Sequence, residues 1–233
     1  MNILVTGASK GIGKSIAETL YETGNIFVTG RNIKALESLN TKGFCACDLS
    51  GNLEELIAFI KNNKIDVLIN NAGEYIYGAI DSVDFEKADH IYKTNLIAPT
   101  KLIAAAVPYM KEKKWGRIIN IGSISGVMGE ANASLYSASK AGLLGLTKAL
   151  ALELAEFNIT VNTINPGWVD TELGMSSIDE SEFSKDEIIE TIPQRRFVKP
   201  EEIAKLVKYL ITDDAKGITG QGINLCAGLS VGI

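Results

Sequence analysis

Short, almost wholly apolar runs alternate with helical patterns along the whole of this chain, and that alternation constrains its fold more than any other feature. Ile3 to Thr6, Ile26 to Thr29, Phe44 to Cys47, Ile65 to Ile69, Arg117 to Ile121, Ile159 to Ile164 and Gly222 to Cys226 read as strands. Helical patterns fill the intervals at Ser15 to Tyr21, Ile33 to Leu39, Leu53 to Ile60, Phe85 to Met110, Ser134 to Phe157 and Ile203 to Leu210. Pro99 and Pro108 predict irregularities in the longest of them. Strands that are apolar at successive positions are buried on both faces, the condition of a parallel sheet between helix layers. The expected fold is α/β, a doubly wound parallel sheet of about seven strands with helices on both faces.

The 233 residues suit one such domain, residues 1–233, since neither a Ser/Gly-rich linker nor a repeat divides them. One polar interruption, Glu172 to Arg196, follows the sixth strand. Ligands of such sheets bind at the carboxyl ends of the strands, so this insertion is placed to act as a substrate lid of short, mobile helices.

Composition excludes several functions. A net charge of -5 without a long basic run argues against nucleic-acid binding. Segments long and apolar enough to span a membrane are missing, and Met1 leads straight into a strand without a signal-peptide pattern. Cys45, Cys47 and Cys226 form no disulfide framework, and His90 is the only histidine, too few ligands for a metal site. Reduced thiols and a cytoplasmic location are expected.

The first strand runs directly into Gly7-Ala-Ser-Lys-Gly11-Ile-Gly13. Glycines between a first strand and a first helix let backbone amides approach a pyrophosphate at the helix N-terminus, where the dipole favours anions. Gly7, Ser9, Lys10, Gly11, Ile12 and Gly13 are accordingly candidates to hold a dinucleotide, although the spacing differs from the usual fingerprint. The second strand ends at Thr29-Gly30-Arg31-Asn32, without the acid that an NAD site places there for the ribose 2′-hydroxyl. Arg31 offers instead a planar cation suited to a phosphate, and Lys10 adds a second charge, which favours NADP(H). Asp48, with Leu49 beside it, follows the third strand and can accept from the adenine amino group.

Tyr136 and Lys140 lie one turn apart on a helix that Ser134 is placed to cap. A free phenol has a pKa of about 10, and a nearby ammonium favours the phenolate, making the tyrosine usable as an acid or base. Alone, the pair is equally an ordinary aromatic beside a surface lysine.

Thr6-Gly-Ala-Ser-Lys-Gly-Ile-Gly13, Asn70-Asn-Ala-Gly73, Asn95, Ser123, Tyr136-x-x-x-Lys140 and Pro166-Gly167 occur in the order seen in the classical short-chain dehydrogenase/reductase family, which the chain resembles over nearly its full length. Trp115-Gly-Arg-Ile-Ile-Asn-Ile121, Asn158-Ile-Thr-Val-Asn162 and Ile218-Thr-Gly-Gln221 look most like the 3-oxoacyl-acyl-carrier-protein reductase branch. The resemblance implies a Rossmann-like fold and a catalytic tetrad of Asn95, Ser123, Tyr136 and Lys140. Tyr136 would be the acid in reduction, Ser123 the partner of the carbonyl, and Lys140 the group that lowers the tyrosine pKa and binds the nicotinamide ribose. Asn95, where the long helix is expected to be locally irregular, would hold a water linking Lys140 to solvent. Asn70, Asn71, Ala72 and Gly73 would line the adenosine side, and Pro166, Gly167, Val169 and Thr171 would fix the carboxamide.

NADPH-dependent reduction of a 3-oxoacyl thioester is thus expected. A sugar, polyol or other small ketone or alcohol is the rival substrate, and a non-catalytic dinucleotide sensor the rival class. An acyl carrier protein is a candidate partner, and the family implies a homotetramer. Lys114 stands where the family has one basic residue for an acidic carrier, but Met175 occupies the place of the other. The acidic Asp179 to Glu182 would repel such a partner. Ala227-Gly228 replaces the usual Gly-Gly, and the apolar tail Leu229 to Ile233 suggests packing against a neighbouring subunit.

Overall fold

The structure is a computed structural model that describes residues 1–179 and 183–231. Its first half runs β1 (Asn2–Thr6), α1 (Gly11–Thr19), β2 (Asn25–Gly30), α2 (Ile33–Glu37), β3 (Gly43–Ala46), α3 (Glu54–Asn62), β4 (Val67–Asn70), α4 (Phe85–Tyr92), a π-turn (Lys93–Ile97) and α5 (Ala98–Lys113). The second half runs β5 (Gly116–Ile121), α6 (Ser125–Met128), α7 (Ser134–Leu154), β6 (Ile159–Pro166), α8 (Glu172–Asp179), α9 (Lys185–Thr191), α10 (Pro200–Leu210) and β7 (Gly222–Leu225). The strands form one seven-stranded sheet in the order β3-β2-β1-β4-β5-β6-β7, with every pairing parallel. The doubly wound α/β expectation is met.

Successive residues of a strand point to opposite faces, and both faces here are apolar. Ile3, Val5, Val67 and Ile69 pack with Ile16, Leu20, Ile203 and Val207 of α1 and α10. Leu4, Leu68 and Ile118 face the other way, onto Leu56, Ile60, Leu102 and Leu154 of α3, α5 and α7. Each fully buried aliphatic side chain is worth about 1.5–3 kcal/mol, so these two cores fix the helices against the sheet.

A polar ladder crosses the second core. Asn70 Nδ2 donates to Asn120 Oδ1 at 2.9 Å, Asn120 Nδ2 to Thr147 Oγ1 at 2.9 Å, and Thr147 Oγ1 meets Thr163 Oγ1 at 2.7 Å. A buried polar group must find a partner, so this ladder sets the position of α7 over β5 and β6.

Several expectations are corrected. The break in the long helix falls at the π-turn, not at the prolines: Pro99 occupies the first turn of α5, and α5 continues through Pro108 to Lys113. Proline costs little in a first turn, where its missing N–H has no partner to lose. Ser134 is the first helical residue of α7 rather than its cap; the cap position is Ala133 and has no side-chain bond. α1 begins at Gly11, so the end of the glycine loop is already helical. Lys114 precedes β5, at the amino end of a strand whose carboxyl end faces the cleft described below. It stands on the opposite edge of the sheet, and a carrier docked at this chain's cleft would not meet it. In the tail, Leu229 packs on the chain's own core while Val231 is exposed. Residues 232–233 and most of the acidic stretch, 180–182, lie outside the described residues.

Candidate active site

A single cleft of about 980 Å³ runs along the carboxyl ends of the strands, from the glycine loop to segment 172–196. Its first end is made of backbone. Gly7 has φ 66° and Gly11 φ 54°, conformations that side chains disfavour. A Cβ on Gly13 would lie 2.3 Å from the Gly7 carbonyl oxygen and 2.4 Å from Asn71 Nδ2, so only glycine allows α1 to close on the loop. Thr6 Oγ1 accepts from the backbone N–H groups of Asn71 and Ala72 at 3.0 and 2.9 Å, and Asn71 Nδ2 donates to the Thr6 carbonyl at 2.9 Å. The β1–α1 and post-β4 loops are thereby laced into one rigid wall. Ser9, Lys10, Gly11, Ile12, Arg31, Asp48, Leu49, Ala72 and Gly73 face the cleft as expected. Gly13 stands behind the loop, and Asn70 is turned into the sheet ladder. Asn71 takes the position on the cleft, because it is the first residue beyond β4.

Both candidate phosphate cations line this end, and each is paired with an acid. Arg31 Nη1 lies 2.8 Å from Glu74 Oε1, and Lys10 Nζ lies 2.8 Å from Glu172 Oε1. The glycine cradle, the acid-free end of β2 and the two cations fit a dinucleotide bearing an additional phosphate.

The other end is made of side chains. Lys140 is buried, and its Nζ donates to the Ile121 carbonyl at 2.9 Å. Gly73 admits it closely: a Cβ there would stand 3.1 Å from Nζ. Nζ lies 5.8 Å from the centre of the Tyr136 ring. The phenol stands close enough to Ser123 for that hydroxyl to pull its pKa down, and its ring meets Tyr75 edge-on at 4.9 Å. Ser123 Oγ donates to Ser125 Oγ at 3.1 Å, which donates to Glu130 Oε2 at 2.6 Å; Tyr75 donates to Glu130 Oε1 at 2.7 Å.

Burial decides the protonation of this pair. It pushes the Tyr136 phenol up to about 12, the Ser123 hydroxyl pulling down and the Glu130 charge adding to the rise. The same cause brings Lys140 down to about 8.

Asn95 sits in the π-turn and does not reach the cleft. Its Oδ1 accepts from the Glu74 N–H at 2.9 Å, and its Nδ2 donates to the Glu74 carbonyl at 2.9 Å and to Ser139 Oγ at 3.1 Å. Both Nδ2 hydrogens are engaged and Oδ1 keeps one lone pair, so a water in the expected proton path would bind that oxygen or the main chain.

Pro166, Gly167, Val169 and Thr171 line the cleft between its two ends. Segment 172–196 rises from a stem in which Val169 pairs with Val198 and Trp168 stacks on Phe197. Its helices α8 and α9 bring Leu173, Ser177, Ile188 and Thr191 over the reaction end. Met175, at the second expected carrier position, packs on the core. Glu74, Tyr75, Ser125 and Glu130 also shape the cleft without any warning in motif or spacing. Among the described residues no cluster could hold a metal ion, and no helix is long and apolar enough to cross a membrane.

The family model described as enoyl-(acyl carrier protein) reductase matches residues 7–230. The chain is similar to the 3-oxoacyl-(acyl-carrier-protein) reductase FabG of Staphylococcus epidermidis, 38% identical over 97% of this chain and 97% of the relative. The enzyme of the same name from Rickettsia conorii is 35% identical over 97% of this chain and 95% of its own. Among solved structures, a single-site variant of actinorhodin polyketide ketoreductase with NADPH superimposes with a TM-score of 0.93 at 35% identity, covering 99% of this chain and 97% of the other.

Proposed function

The chain belongs to the short-chain dehydrogenase/reductase family, and from its cleft we propose that it is an NADPH-dependent oxidoreductase that reduces the ketone of a 3-oxoacyl thioester to a secondary alcohol. One observation carries the reading. The glycine cradle and the Ser123–Tyr136–Lys140 group open into the same cleft, so a dinucleotide held at one end delivers its reactive ring to the other.

NADPH, when bound, supplies the hydride. Gly7, Ser9, Gly11 and Ile12 would present the loop to its pyrophosphate, Arg31 and Lys10 would meet the 2′-phosphate, and Asp48 with Leu49 would border the adenine. Pro166, Gly167, Val169 and Thr171 would hold the carboxamide and so select the face of the ring presented to the carbonyl. Tyr136 gives its proton to the carbonyl oxygen. A phenol held at about 12 stays protonated across the physiological range, so the acid is loaded before substrate enters. Ser123, which donates to Ser125 in this structure, turns its hydroxyl to the carbonyl and stabilises the developing oxyanion. Lys140, close behind Tyr136, binds the nicotinamide ribose and supports the phenolate once the proton has left. The helices of segment 172–196 act as the lid, and their apolar residues exclude water from the transfer.

The thioester assignment rests on the named relatives and on the apolar lid. Contact with an acyl carrier protein has less support, since Lys114 lies on the far edge and Met175 is in the core. We also propose a homotetramer in the cytoplasm, as the family implies. Exposed Phe85 and Leu152, on α4 and α7, are apolar surface of the kind that subunit contacts cover. NADPH consumption on matched substrates tests the chemistry. Acyl-carrier or coenzyme A 3-oxoacyl thioesters should be turned over far faster than keto sugars or simple ketones. Equal rates on all of them would overturn the thioester assignment.

A further inference from the structure

We propose that Glu74 is a coenzyme-selectivity residue, which weakens NADPH binding by holding Arg31 and by placing its own charge beside the 2′-phosphate position. The inference rests on the reading of Arg31 as the phosphate cation. Glu74 is the first residue after the Asn70-Asn-Ala-Gly73 run, and it lines the adenosine end of the cleft. One carboxylate oxygen takes Arg31 Nη1 at 2.8 Å, and the other takes His90 Nε2 at 2.8 Å. Its backbone N–H and C=O are both bonded to the Asn95 side chain at 2.9 Å. Four contacts hold this residue, main chain and side chain alike, so withdrawing the carboxylate from an arriving phosphate breaks its bonds to Arg31 and His90.

A fixed carboxylate distinguishes the two coenzymes. The 2′-phosphate is anionic and needs the guanidinium, so it meets both a repulsion and a competitor. The 2′-hydroxyl of NADH needs no cation and can donate to an acceptor. Glu74 thus opposes NADPH without opposing NADH, and the chain's preference for NADPH is smaller than Arg31 alone would give.

The second pair at this end has a different weight. The cations Lys10 and Arg31 are similarly exposed, at 60% and 64%, but Glu172 is 73% exposed with one contact, whereas Glu74 is 24% exposed and has two partners. Exposed pairs held by one flexible contact are largely screened, so Glu172 should matter little. The two acids make an internal control.

The experiment is a fluorescence titration of NADPH and NADH against the wild-type chain, Glu74→Gln, Arg31→Ala, the double variant and Glu172→Gln. Glu74→Gln keeps the size of the side chain and every backbone bond to Asn95, so the fold is retained; melting curves check this. Glu74→Gln should bind NADPH about fivefold more tightly, the order expected for a partly buried charge pair, with NADH unchanged or weaker. The gain should shrink in the Arg31→Ala background, and Glu172→Gln should shift neither coenzyme by as much as about twofold. Unchanged or weaker NADPH binding in Glu74→Gln, while Arg31→Ala selectively loses NADPH, would overturn the role of Glu74 and leave the phosphate reading intact. Equal loss of both coenzymes in Arg31→Ala would remove the phosphate reading itself. A full gain surviving in the double variant would refute the competition for Arg31.

Discussion

The two ends of the cleft are built from different materials. At the adenosine end the wall is backbone: glycines brought into contact distance and loops laced through Thr6 and Asn71. At the reaction end it is side chains, with Lys140, Tyr136, Ser123, Ser125, Glu130 and Tyr75 each held by a neighbour from another element. Backbone walls tolerate no added atoms but need no particular functional group. The side-chain wall tolerates shape changes better than changes of a titratable group. Binding and chemistry should therefore separate under mutation.

The largest expected effect lies at the reaction end. Tyr136→Phe removes only the proton donor, and thioester turnover should fall on the order of a thousandfold or more, as measured by NADPH consumption. Retention of most of the turnover would remove the distinction between the two ends. At the backbone end, Gly13→Ala drives a Cβ to 2.3 Å from the Gly7 carbonyl, a contact that cannot persist. It should cost about 2–4 kcal/mol of stability in denaturant melts, and what folds should bind NADPH at least tenfold more weakly. A fully stable Gly13→Ala with normal binding would show that the loop yields more easily than its packing implies.

Close in size is a pH dependence at the reaction end. Burial sets Lys140 at about 8 in the folded chain against 10.5 for the ordinary side chain, so it is charged below about 8 and neutral above. The unfolded chain holds that proton up to 10.5, so folding stability is gained as pH rises from about 8 to 10.5. Below that window the chain carries the cost of a buried ammonium. Catalysis runs in the opposite sense, because the charged form is the useful one. kcat/KM for NADPH, which reports the free enzyme, should fall with a limb near 8, at about tenfold per pH unit. A profile flat to pH 10 would show that the charge of Lys140 is not used in coenzyme capture.

The fold was legible because the five inner strands are runs that only a doubly covered sheet can bury, while the edge strands β3 and β7 alternate between half-buried and exposed residues. The glycine cradle was legible for a related reason, since glycine spacing reports where backbone must approach backbone. The irregularity that the family resemblance implied at Asn95 is the π-turn, whereas the prolines, which suggested breaks of their own, are carried within α5. Of the run Asn70 to Gly73 expected on the cleft, Asn70 is turned away, because β4 extends one residue past Ile69 and takes it into the sheet ladder. Lys114 could have been placed correctly from strand direction alone, as it precedes β5 and the cleft follows it. Glu74 and Glu130 were out of reach: their partners Arg31 and Tyr75 lie 43 and 55 residues away in the chain, and only the folded sheet brings them together.

The most direct test of the separation between a binding end and a reacting end is the NADPH dissociation constant of Tyr136→Phe. The account predicts a value within about twofold of wild type, beside a turnover loss of roughly a thousandfold. Coenzyme affinity lost in proportion to turnover would contradict it, since Tyr136 would then be part of the binding wall and not the acid at its far end.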